Sequence, residues 1–355
     1  LFAWNTSIGQ WSNLTDFPVY DLKPERTNSF EVGMNMRFLK NFELDVTYYN
    51  AKTMNQTFNP ELPVGEYARI YIQTGAVRNQ GLELALNYNN TWKDFTWNTG
   101  VTYSMNKNKI LTLADNAINP ITREKFSISS LNMGGLGSTR FILKEGGSMG
   151  DIYSLMDLKR DANGAVYIDE NNSVVTESLE ANNYIKLGSV LPKGNLAWRN
   201  NFSWKNINVA FLVSARLGGV VFSRTQAVLD NFGVSEASAA ARDKGYVSVN
   251  GNDRVNPEGW YSVVAGGTAV PQYYIYSATN IRLQEASIGY TIPRKWLGNV
   301  CDIKVSLIGR NLWMIYNKAP FDPESVASTD NFYQGIDYFM MPSLRNIGFN
   351  LSFKF

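Results

Sequence analysis

Residues 42–49 read Phe42-Glu43-Leu44-Asp45-Val46-Thr47-Tyr48-Tyr49. In an extended chain successive side chains point to opposite faces, so Phe42, Leu44, Val46 and Tyr48 share one face and Glu43, Asp45, Thr47 and Tyr49 the other. A helix would mix the two sets. The split continues upstream, where Phe30, Val32, Met34, Met36 and Phe38 oppose Glu31, Gly33, Asn35 and Arg37, and downstream, where Leu82, Leu84, Leu86 and Tyr88 oppose Glu83, Ala85, Asn87 and Asn89. Further apolar rows are Phe95, Trp97, Val101, Tyr103 and Met105, then Leu196, Trp198, Phe202 and Trp204, then Ile207, Val209, Phe211, Val213 and Leu217. Ile347, Phe349, Leu351, Phe353 and Phe355 form the last. Two segments depart from the rule. In 279–293 the phase slips between Leu283 and Ile288, as a β-bulge would cause, and 302–316 carries apolar residues on both faces.

A half-buried strand of a soluble sandwich alternates too, which leaves open a soluble or surface β-rich ligand-binding or adhesion module. Connection lengths discriminate. Lys40-Asn41 joins 29–39 to 42–54, about two residues join 79–91 to 94–107, and Asn206 joins 194–205 to 207–219. Between these pairs lie long Gly-, Asn- and Ser-rich stretches, 55–78, 108–193, 220–278 and 317–343, far beyond the few residues usual in a compact domain. Tight turns on one rim and long loops on the other are the signature of a transmembrane antiparallel β-barrel of the outer membrane. With the 39–42 turn in the periplasm, the final strand runs inward and Phe355 ends there as well. Trp92, Trp204 and Trp296 fall beside the short links, where an aromatic girdle meets the lipid interface.

Composition agrees. Of 355 residues 44% are apolar, only 18% charged and 13% aromatic, a balance that suits strands and interfaces. With 33 basic and 31 acidic residues there is no field to recruit nucleic acid. The chain has no His and one cysteine, Cys301, so an intrachain disulfide is excluded and the usual zinc and proton-transfer residue is missing. No run reaches 18 apolar residues, so no transmembrane helix is expected, which says nothing against strands. The chain opens Leu1-Phe2-Ala3-Trp4 without a leader, and the expectation is that much of the protein lies upstream.

About nine or ten strands would close only a narrow barrel, whose interior must be packed with side chains. The inner positions here carry Glu31, Arg37, Glu43, Asp45, Glu83, Arg199 and Arg216, which need water or partners. A wide, wet or plugged lumen fits better, with residues 1–355 forming the C-terminal part of a larger barrel.

Several strings then resemble the SusC (RagA-type) family of TonB-dependent outer-membrane transporters, known from Bacteroidetes-type nutrient uptake. Leu22-Lys23-Pro24-Glu25-Arg26-Thr27 before Ser29-Phe30-Glu31-Val32-Gly33 is similar to the start of a late barrel strand in that family. Gly75-Ala76-Val77-Arg78-Asn79-Gln80-Gly81-Leu82-Glu83 resembles its G-x-v-x-N-x-G-v-E signature, and Thr279-Asn280-Ile281-Arg282-Leu283-Gln284-Glu285 its TNiRLrE strand. Gly309-Arg310-Asn311-Leu312-Trp313 with Asp322-Pro323-Glu324, and Pro342 through Phe355, resemble its last two strands and the loop between them. The resemblance covers nearly the whole chain from about residue 18. It implies a plugged barrel of about 22 strands, import of a glycan or peptide nutrient driven by the TonB complex through an N-terminal region outside this sequence, and a SusD-like surface lipoprotein as lid. It implies no enzyme.

Candidate site residues follow. Trp260, Tyr261, Tyr273, Tyr274 and Tyr276 lie in one loop, where aromatic rings give large contact area at low entropic cost to a substrate or a lid. Arg37, Glu43, Glu83, Arg199 and Arg216 face the lumen or plug. Asp161-Ala162-Asn163-Gly164 spaces some oxygens as a calcium loop does, but Asn-Gly is also a hairpin turn, and the hairpin is expected, with no cofactor. Gly134, Gly135, Gly137 and Gly146-Gly147 lack the Lys-Ser/Thr of a phosphate loop and read as flexible loop. The carboxylate pairs Asp169/Glu170 and Asp322/Glu324 show nothing that would separate their pKa values for catalysis.

Overall fold

The computed structural model describes residues 2–5, 10–13, 23–58, 72–118, 123–267, 269–298, 300–329 and 333–354. Its main element is a nine-stranded sheet in which each strand pairs with the next one along the chain. These are β1 Arg26–Phe38, β2 Phe42–Phe58, β3 Ile72–Trp92, β4 Phe95–Thr112, β5 Gly194–Trp204, β6 Ile207–Leu217, β7 Asn280–Ile292, β8 Asp302–Asn317 and β9 Asn346–Lys354. All neighbours are antiparallel. Among the described residues β1 and β9 are edges of this sheet, and β9 is exposed along its whole length. Phe355 lies outside the described residues.

Register fixes which residues share a face. Val32, Tyr48, Leu82 and Met105 form one cross-strand row, and Met36, Leu44, Leu86, Val101 and Trp198 another two rungs nearer the tight turns. This apolar face is exposed: Phe30, Val32, Met34, Met36, Trp204, Ile288, Leu307 and Phe349 are all open to the surroundings. A soluble protein would bury such a surface. Residues 82–92 run about 35 Å along β3, which at barrel tilt is about 25 Å across a bilayer, the height of a lipid-facing band. Trp92 and Trp204 close that band beside the turns, and a chain of ring contacts runs Phe38, Phe42, Tyr88, Trp97, Phe202, Phe211 along it. Trp296 stands exposed in the Arg294–Leu297 turn that links β7 to β8.

The predicted bulge lies where the phase slipped. Leu283 and Glu285 are consecutive in register against Val213 and Leu212, so Gln284 is the extra residue. Opposite it, β8 shifts between Arg310 and Trp313, and Asn311 takes a left-handed backbone (φ 51°). This is why 302–316 showed no clean alternation.

Two expectations need correction. β2, β3 and β4 run past the expected limits 54, 79 and 107 into the stretches read as long connections, and at 17, 21 and 18 residues they exceed the 9–11 that span a bilayer. Glycines read as flexible loop are also in regular structure. Gly134 and Gly135 sit in strand Ser130–Leu136, which pairs with Thr139–Lys144 around a turn that uses Gly137 at φ 61°. The described residues within 113–193, 218–279 and 318–345 fold together as a cap with its own core of Phe141, Ile152, Leu158, Val190, Phe222, Val264, Tyr274 and Ile336. Among the described residues the cap contains three α-helices, α1 Arg224–Asn231, α2 Glu236–Lys244 and α3 Pro257–Val264. Side chains of Ser223, Ser235 and Asn256 cap their N-termini. A second small core, including Val77, Ile110, Leu113, Leu131 and Leu143, ties the cap to the upper ends of β3 and β4.

Candidate functional site

The polar face of the sheet carries Glu31, Glu43, Asp45, Glu83, Arg199 and Arg216, as alternation from the apolar face requires. Arg37 and Glu43 are register partners and pair with each other at 3.1 Å. Asn35 donates to Asp45 at 3.2 Å. Glu83 and Arg216, 133 positions apart in sequence, line one recess of about 620 Å³ with Asp45, Ser104, Asn195 and Glu324. Arg216 donates through Nη2 to the Val190 carbonyl at 2.7 Å, while its Nε is buried with no partner. Arg199 is exposed on the same face, outside that recess.

The cap bends over this polar face, and an ion cluster around the buried Arg282 holds it there. Arg282 of β7 grips Asp322 with two nitrogens, at 2.7 and 3.1 Å, and reaches Glu324 at 3.2 Å. Asn280 also donates to Glu324. Burial alone would raise the Asp322 carboxyl, but hydrogen bonds from Arg282, the Glu324 N–H and Ser343 outweigh it and hold the group below the usual carboxylate range. The carboxylate pair Asp322/Glu324 is thus a clamp onto the sheet, and the TNIRLQE and DPE strings are the two halves of one contact. Sequence reading missed this because the partners are 40 residues apart. Their joint presence among the family-like strings was the available signal.

The five loop aromatics separate on inspection. Tyr274 is in the cap core and its hydroxyl donates to the buried Asp230 at 3.0 Å, so it offers no surface to a ligand. Burial and the neighbouring Asp230 raise its hydroxyl far above the ordinary range. Trp260 packs against the same core and meets Tyr273 edge to face at 5.2 Å; Tyr276 does likewise with Phe321 at 5.5 Å. Tyr273 is exposed, and Tyr261 lines a cleft of about 530 Å³ with Asp230, Arg242, Glu258 and Ser262. Burial, helped by Asp230, raises the Tyr261 hydroxyl, which therefore stays a neutral donor.

Asp161 forms a hairpin turn. Its carboxylate accepts the N–H groups of Asn163 and Ala165, and Arg160 bridges to Val166 across it. Asp169 repeats the device with Asn171 and Ser173.

Comparison with known proteins places this architecture. Residues 3–312 match the family model described as TonB dependent receptor-like, beta-barrel. The TonB-dependent receptor P3 of Formosa agariphila is 26% identical over 96% of this chain and 35% of its own length; the receptor P26 of the same organism is 27% identical over 93% and 34%. The chain thus spans about a third of the length of the curated relatives it matches. Among solved structures, the RagAB peptide importer in its closed-closed state shares the fold with a TM-score of 0.68 at 17% identity, covering 93% of this chain and 35% of that one. The open-open state gives 0.65. The nine-stranded wall, its lipid-height apolar band and the family match agree, and the chain belongs to the TonB dependent receptor-like β-barrel family.

Proposed function

We propose that this chain forms the C-terminal wall and extracellular cap of an outer-membrane transporter that imports an oligopeptide or oligosaccharide. The observation that carries the reading is the segregated sheet: a lipid-height apolar band outside, charged and amide side chains inside, and a cap clamped over the polar side by Arg282 and Asp322. A wall with that interior suits a wet or plugged lumen wider than nine strands enclose, which accords with relatives about three times as long. The rest of the barrel and the plug would come from the remainder of the protein. No nucleotide energy source is available at the outer membrane, so the plug would be displaced by a periplasmic TonB partner. A SusD-like lipoprotein would close the outer opening over the cap, with Tyr273 and Tyr261 as contacts to it or to substrate. Glu83, Arg216 and Arg199 would face the plug or the passing nutrient. The RagAB importer acts on peptides, which favours peptides as the first class to try.

The test is uptake of a fluorescently labelled casein peptide digest and of labelled oligosaccharides by cells carrying the full-length gene, compared with its deletion, with and without an uncoupler of the proton-motive force. Import of one class that is lost on deletion and on uncoupling is expected. Uptake that survives uncoupling would overturn energy-driven transport in favour of a passive pore or a surface binding module.

A further inference from the structure

The outward face of β1–β4 changes character abruptly at the top of the apolar band. Above the row Val32, Tyr48, Leu82, Met105 stands Phe30, Asn50, Gln80, Lys107, and above that Asn28, Lys52, Arg78, Lys109; Arg26 follows on the next rung. All five cations on outward positions of these four strands lie at this end, and no outward position there holds an acid. The inward face is the reverse, with Glu31, Glu43, Asp45 and Glu83 against Arg37.

Such a strip is unfavourable unless something covers it. Lys52, Arg78 and Lys109 are direct register neighbours, so their Cβ atoms are about 5 Å apart and their charges repel. No described acid pairs with Lys52, Arg78, Lys107 or Lys109. The carboxylates tied to the same strands farther out are engaged elsewhere, Glu25 by the N–H of Thr57 and Glu145 by that of Leu113. The Nε of Arg78 is buried without a partner.

We propose that this strip binds the phosphorylated headgroup of an outer-leaflet glycolipid, with Arg78 at its centre, Lys52 and Lys109 on either side and Lys107 below. Height and direction select a lipid over a soluble anion. The cations point outward and sit flush with the upper edge of the apolar band, so a phosphate at this level continues into acyl chains lying on Leu82, Val46 and Leu84. Guanidinium and ammonium groups match phosphate oxygens in charge and hydrogen bonding. Asn28, Asn50 and Gln80, interleaved with the cations, supply neutral amides for sugar hydroxyls. The site rests on the outer-membrane reading above but not on import: loss of transport would leave it standing, and loss of lipid binding would leave transport standing.

The test is native mass spectrometry of the delipidated full-length protein in detergent, titrated with bisphosphorylated lipid A and with the same lipid after removal of its phosphates. The variants are K52Q/R78Q/K109Q, the charge-keeping K52R/R78K/K109R, and K93Q/K205Q at the opposite rim; heat-modifiable migration on gels reports whether each barrel is folded. Each surface cation strengthens anionic-lipid attraction about fivefold, so the triple neutralisation lowers retention of the phosphorylated lipid by about a hundredfold. The charge-keeping and opposite-rim variants should retain it. If the triple variant fails to fold, the single K109Q change should still weaken binding about fivefold. Equal binding of the dephosphorylated lipid, unchanged binding by the neutralised variants, or complete displacement by excess inorganic phosphate would overturn the assignment.

Discussion

The nine-stranded wall and the cap are held together by different physics. In the wall almost every apolar side chain is on the surface, and the large fully buried hydrophobics lie in the cap or where it meets the upper ends of the strands: Phe141, Phe222, Leu143, Ile152 and Leu158 among them. The wall relies on its backbone ladder and on lipid to cover what water would not. The cap relies on an ordinary dry core assembled from three distant connections. One chain therefore carries two folding problems, and substitutions should separate them.

The largest separation is expected at Phe222, fully buried where the 220–223 strand meets Ile336. Phe222→Ala removes a packed ring at a cost of about 3–5 kcal/mol. Limited proteolysis should open the cap of the full-length protein while the barrel keeps its heat-modifiable migration. Collapse of both together would break the distinction.

Next is the clamp between the two regions. Replacing Arg282 by Met strands Asp322 in a site it shares with few other donors, and breaking a buried pair costs about 3–5 kcal/mol. The cap should lose exchange protection around 319–325 while its own core stays protected. The clamp also predicts an acid response. The folded Asp322 carboxyl sits below its ordinary value, so its stabilisation is present above that ordinary value, near 3.9, and is lost as pH falls through the lower folded value. Proteolytic release of the cap from wild type should begin only below about pH 4, and Asp322→Asn should start less protected and lack that step.

Within the wall, the two faces should differ by a smaller amount. Leu86→Lys puts a charge near the middle of the lipid-facing band, costing about 2–4 kcal/mol. Ala85→Lys, one residue away, puts it on the polar face opposite Asp45, its register partner, and should cost nearly nothing. The fraction assembled in lipid vesicles measures the difference; a larger loss for Ala85→Lys would mean that the faces are assigned the wrong way round, and equal losses that lipid does not distinguish them.

The wall was legible in the sequence because a bilayer imposes a two-residue period and tight turns impose the pairing. Phe42 through Tyr49 already contained it. Legibility failed where that constraint ends: past Asn50 and above Gln80 both faces turn polar, with Lys52 and Arg78 outside and Thr53 and Asn79 inside, and the outermost parts of β2, β3 and β4, residues 55–58, 72–78 and 108–112, read as loop. The cap was opaque for another reason. Its strands are mostly three to seven residues and its helices eight or nine, too short to show a period, and their core partners lie in other connections. The same non-locality hid the Arg282–Asp322 contact and made Tyr274, a core residue, look like a binding aromatic. Glu83 and Arg216 were placed on the right face by alternation, but only register shows that they share a recess.

The smallest effect is expected at Arg37 and Glu43. They face each other across the β1–β2 hairpin at 3.1 Å, yet the Arg37 side chain is 80% exposed, so water screens the pair and both side chains lose freedom to hold it. A double-mutant cycle with Arg37→Gln and Glu43→Gln should give a coupling of at most about 1 kcal/mol, against several for the clamp at Arg282. If the coupling in the full-length protein is instead comparable to the clamp's, the pair is dehydrated there. That would mean that the polar face beside this turn is covered by another part of the protein, which is how a plug seated in the lumen would show itself from the wall.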